Sequence, residues 1–174
     1  IGVSKTGSAS KTGSATKSGT VTDPGHDHDT GDGTGLAYGF VRCDSFDNSF
    51  TDYNNAIDGS LATFATYNSP DVFYMAQKAG SFSFGGAPKR IRGYMYGSAA
   101  TSHDLYLTAP NDQSTVWATG DLTGSVVANY TAWYTLPAGT EWADLFDVNL
   151  RIEGTGSADI DVYDCGFEIE YDTT

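Results

Sequence analysis

Along residues 36–174 apolar and polar positions alternate with a period of two over short stretches broken by turn-forming residues, and no apolar stripe recurs at helical spacing. The clearest stretch is 160–171. It sets Tyr163, Cys165, Phe167, Ile169 and Tyr171 on one face and Asp164, Gly166, Glu168 and Glu170 on the other, which predicts a strand with one face to a core and one to water. Residues 147–153 alternate likewise, with Val148, Leu150 and Ile152 inward, and in 90–97 Ile91, Gly93 and Met95 oppose Arg92, Tyr94 and Tyr96. Shorter strands are predicted at 36–43, 72–77, 81–84, 105–108, 114–119 and 132–136, with 72–77 and 81–84 forming a hairpin and one helical turn near 141–146. Roughly nine short strands with turn signals between them predict an all-β fold, an antiparallel two-sheet sandwich with jelly-roll connectivity over 36–174. Trp117, Trp133 and Trp142 are expected in or at the rim of its core. Trp117 and Trp133 are also candidate ligand-binding residues, since an indole that keeps one face open can stack on a sugar.

The first 35 residues follow a different rule. KTGSAS at 5–10, KTGSAT at 11–16 and KSGTVT at 17–22 repeat every six residues. An even period keeps Lys5, Lys11 and Lys17 on one side of an extended strand. The hexads contain almost nothing large and apolar, so alone the segment is solvated coil, and order requires neighbours such as copies of itself. Residues 23–35, dense in Gly and Asp, read as a joint between this arm and the body.

Composition supports a β-rich chain, with 11 Tyr, 9 Phe and 3 Trp against 2 Met. Nine cations face 22 acids for a net charge of −13, and residues 1–22 hold three lysines and no acid. An acidic body argues against nucleic acid as a partner, because phosphate binding needs a basic surface. No apolar run reaches the roughly 20 residues that span a bilayer, so no membrane anchor is expected. Cys43 and Cys165 lie in the first and last predicted strands. If those strands are neighbours a disulfide would contribute about 4 kcal/mol; the other reading is two separate buried thiols.

NAIDGSLATFA at 55–65 resembles the A-x-D-G-x-x-x-T segment of discoidin-like and galactose-binding-like β-sandwiches, where nearby oxygens often hold a structural Ca²⁺. The resemblance implies Asp44, Asp47, Asp52 and Asp58 as candidate calcium ligands, hard oxygens on one loop; the plainer reading is solvated loop acids. The closing stretches 147–153 and 162–171 resemble the last strand pair of sandwich modules in tailed-phage virion proteins, including tail fibres and head decorations. Gly25-His26-Asp27-His28 is similar to the G-H-x-H motif of trimeric phage fibres, in which histidine pairs from three chains surround an iron. Here it occurs as a single copy. In an extended segment His26 and His28 project to one side, so a three-fold axis would gather six imidazoles around a transition metal; a solvated polar turn is the alternative.

No Gly-x-Ser-x-Gly elbow, phosphate loop or His-Glu-x-x-His is present, and there are three histidines in all; an enzyme is not expected. His103 reads as an ordinary strand-edge residue, and Asn129-Tyr130-Thr131 is a lone N-glycosylation pattern. The expectation is a virion structural protein, a capsid decoration or fibre-like appendage at the virion surface or in the extracellular space. Its arm would anchor it to other virion proteins and to copies of itself, a trimer foremost, and its sandwich could bind a surface glycan. The alternatives are a carbohydrate-binding module of a secreted or cell-surface protein and a subunit of an extracellular filament.

Overall fold

The computed structural model describes residues 35–173 apart from Ala79 and Ser102, with the side chains of 68–75, 78 and 155–158 also outside the description. The hexads, the joint and the pair His26 and His28 therefore lie outside the described residues. The nine strands are β1 Leu36–Arg42, β2 Ser45–Phe46, β3 Ala65–Lys78, β4 Pro88–Ala99, β5 His103–Thr108, β6 Val116–Leu122, β7 Val127–Tyr130, β8 Tyr134–Thr135 and β9 Val148–Asp172. Two 3-10 turns, Tyr53–Ala56 and Trp142–Leu145, join them.

The fold is an all-β sandwich of two antiparallel layers organised by β9, which runs for 25 residues and belongs to both. β3 pairs with β9 along the whole of β3, from Ala65 opposite Val162 to Lys78 opposite Val148, with β5 on the other side of 149–153, and the second half of β9 lies between β1 and β4. Beyond these, β6 pairs with β5, and β7 and β8 pair with β4. The bridge Gly120↔Thr131 and the Ala132 N–H donated to the Thr119 carbonyl connect β6 to the β7–β8 side. Leu105, Leu107, Val148, Leu150 and Ile152 of one layer share a core with Ile91, Met95, Cys165, Phe167 and Ile169 of the other, each essentially without exposure. The layers approach closely at Gly93, where a Cβ would stand 2.2 Å from a Leu150 methyl.

Several boundaries differ from the sequence reading. Residues 147–153 and 160–171 are one strand, because 154–158 continue the ladder opposite β3 through Gly154, Ser157 and Ala158. Residues 81–84 form no strand. Gly80, Gly85 and Gly86 on either side adopt φ of 75°, 107° and 35°, which takes the backbone out of the ladder, and Phe82 and Phe84 pack against Trp142 instead. The polar face of 160–171 does not meet water as alternation predicts: Asp164 and Glu170 are buried and Glu168 is half-buried, because β9 is central and long side chains from β1 and β4 lie across it. His103 stands at the end of a strand, the first residue of β5, yet it is buried. It is 1% exposed, with Nδ1 2.7 Å from the Thr101 carbonyl oxygen.

Candidate functional site

The outer face of the β1–β9–β4 layer is built from rows of facing residues. Tyr38, Glu170 and Arg90 share one row, Phe40, Glu168 and Arg92 the next, and Arg42, Gly166 and Tyr94 the third. Arg90 donates to Glu170 at 2.7 Å and to the Tyr38 hydroxyl at 3.2 Å. Its hydrogen bond to Glu170 is the main cause that lifts the Arg90 guanidinium above its ordinary pKa, and the Tyr38 hydroxyl is lifted by its own hydrogen bond to Glu170. Arg92 Nε donates to Glu168 at 2.6 Å. Trp133 covers both guanidinium groups, each 4.6 Å from its ring, and Tyr130 stacks on Arg92 at 4.0 Å. In the third row Gly166 makes room for the Phe40 ring, which meets Tyr94 edge-on at 5.4 Å. With Arg42 on Asp164 and Arg151 on Glu153, all four arginines of the chain are paired internally.

A second feature sits at Gly35, where the described residues begin. The Gly35 carbonyl accepts from the Thr173 N–H at 2.7 Å and its hydroxyl at 2.9 Å, and the Asp172 N–H donates to the Ala87 carbonyl at 3.0 Å. Gly86 passes so near the Asp172 carbonyl that a Cβ would stand 1.6 Å from the oxygen. Trp142 packs beside this seam. Its indole N–H donates to the Gly85 and Gly86 carbonyls at 2.9 and 2.7 Å, and Phe82, Phe84 and Tyr171 contact the ring at steep angles. Leu145, fully buried, roots the 3-10 turn that carries Trp142, and the Glu141 N–H donates to Asp144 at 2.9 Å to close the turn. Between this turn and residues 86–88 lies a cleft of about 380 Å³, lined by Gly86, Ala87, Pro88, Thr140, Glu141, Trp142 and Ala143.

No family model, curated protein or solved structure matches this chain.

Neither tryptophan singled out for ligand binding lines the cleft. Trp133 caps the arginine pair, and Trp117 stacks on Tyr134 at 4.8 Å and 9°. The third tryptophan does line it. Its signals in the sequence were the Gly85-Gly86 pair and an aromatic residue at the start of a short turn, and their proximity is tertiary.

The candidate calcium acids are dispersed. Asp47 accepts from the Ser49 N–H and hydroxyl at 2.9 and 2.6 Å, and Asp58 from the Ser60 N–H at 2.6 Å and the Thr63 hydroxyl at 2.8 Å. Asp44 and Asp52 are exposed, the latter at φ 54°. Among the described residues no three His, Cys, Asp or Glu side chains come together as a metal set, and no helix there is long and apolar enough to cross a membrane. Asn129 of the glycosylation pattern is 5% exposed, and its amide is engaged with the Met95, Gly97 and Val127 carbonyls.

Cys43 and Cys165 face one another. The first and last strands are neighbours, the Cys43 N–H donates to the Cys165 carbonyl at 3.0 Å, and both residues are free thiols buried in the core. Burial pushes the Cys43 thiol well up, and the hydrogen-bonded Cys165 thiol adds to the effect. A thiol reagent such as DTNB is expected to react with the native protein at least roughly a hundredfold more slowly than with the unfolded chain. Equal rates in the two states would show that the pair is open to solvent.

Proposed function

We infer that the chain is a non-enzymatic structural module of a virion, a decoration or fibre-like appendage whose sandwich is carried on residues 1–35. The observation that carries this reading is the seam between Gly35 and Thr173. The described chain begins at Gly35, beside the end of β9, so on this reading the attachment through residues 1–35 lies at that end of the body. Two further features support it. The arginines on the outer face are locked to carboxylates and rings, one acid to each, which makes a stiff surface on a chain whose net charge of −13 is unsuited to packaged nucleic acid. The hexads repeat without a core of their own, which suits contacts between copies. The partners on this reading are further copies of the chain, a trimer foremost, and other virion proteins.

Light scattering coupled to size exclusion tests it. The full chain is expected to form a defined homo-oligomer that disperses when the hexads are scrambled while the body keeps its β-sheet circular dichroism. A monodisperse monomer whose arm is cut away by protease without consequence would count against the reading.

A further inference from the structure

We propose that the cleft beside Trp142 is a binding site for a neutral saccharide, with the indole as stacking platform and Glu141 as acceptor for sugar hydroxyls. The inference deepens the appendage reading, which leaves open what the displayed body touches.

The platform is fixed before any ligand arrives. Two backbone carbonyls hold the indole N–H, and three rings brace the indole, so little side-chain freedom is lost on binding. Beside the indole and Glu141 the lining is Gly86, Ala87, Pro88, Thr140 and Ala143, small groups that leave an open slot. Its volume falls at the small end of the range for ligand sites. Charge then selects the ligand. No cation lines the cleft and its one charged side chain is the exposed Glu141, so an anion has nothing to meet. A carboxylate accepts hydrogen bonds and donates none. A ligand suited to such a slot has an apolar face for the ring and several hydroxyl donors around its edge, which describes a neutral sugar. A quaternary amine, the other ligand of aromatic sites, is bound best by several ring faces, whereas here the lining contains one ring.

The test is calorimetric titration of the full chain with lactose, maltotriose and chitotriose, and with choline as the cationic probe. At least one sugar is expected to bind at millimolar concentration or tighter. Trp142→Ala and Ala143→Arg are each expected to weaken that binding at least about tenfold, while Trp117→Phe leaves it unchanged. Ala143 is exposed, so Ala143→Arg fills the slot from outside and decides the matter even where Trp142→Ala fails to fold. Silence towards all three sugars, unchanged affinity in Ala143→Arg, or binding of choline alone overturns the proposal. The two readings fail separately: silence towards sugars in an arm-dependent oligomer removes only the cleft's role, and sugar binding by an arm-independent monomer removes only the appendage.

Discussion

Replacing Arg42 with alanine is expected to destabilise the body by about 3–5 kcal/mol, the range for removing one partner of a buried ion pair. Arg42 Nε and a terminal nitrogen grip the two oxygens of Asp164 at 2.6 and 3.0 Å, a forked geometry. The two sides of the pair are not equivalent. The Asp164 side chain is 1% exposed and the Arg42 side chain 34%. Arg42→Ala therefore takes the paired charge away from a buried carboxylate, to which the Cys165 N–H still donates at 3.0 Å. Asp164→Asn removes the opposite charge, but the guanidinium can turn outward, and about 1–2 kcal/mol is expected. Urea unfolding of both variants at neutral pH checks the order. Equal losses, or an Arg42→Ala loss below about 1 kcal/mol, would show that the pair is effectively solvated.

Asn129→Ala should follow at about 2–4 kcal/mol. The side chain is a hub between β4, β7 and the turn that joins β6 to β7. Its Nδ2 lies within 2.9–3.4 Å of three carbonyl oxygens, and its Oδ1 accepts from the Thr123 N–H and hydroxyl, both at 3.2 Å. Alanine leaves this buried backbone without partners and opens a void. Asn129→Asp should be at least as damaging, since it sets a charge against carbonyl oxygens in place of a donor. For a domain of this size the alanine variant is expected to melt roughly 6–12 °C lower. A variant melting with the wild type would mean that water replaces the amide without loss.

What the sequence disclosed about the fold was periodicity, and periodicity is a local quantity. The face of Cys165, Phe167 and Ile169 was legible because alternation is unbroken from 164 to 171. It slips at Tyr163, the extra residue of β9 opposite Tyr96 and Gly97, and Ile160 and Val162 take the core side before it. The inward set Val148, Leu150 and Ile152 was legible in the same way. The join between those stretches was hidden by Gly154 and its small neighbours, residues that usually end a strand, and here the long partner β3 carries the ladder across them. Alternation also assigned Asp164 and Glu170 to water, because it distinguishes two faces and cannot tell which one a neighbouring strand will cover. The adjacency of Cys43 and Cys165 followed from pairing of the first and last strands. The cleft did not emerge at all. Trp142 and the Gly85-Gly86 carbonyls are more than fifty residues apart in the chain, and each alone looks like an ordinary rim residue or turn.

β9 sets the order of events during synthesis. β1, β3, β4 and β5 all pair with it, and β9 is made after every one of them. Until residues 148–172 have left the ribosome, only local pairings such as β5 with β6 can form, and long apolar strands wait with open edges. The nascent body thus keeps these apolar edges uncovered over most of its translation, and closure comes as one late, cooperative step instead of layer by layer.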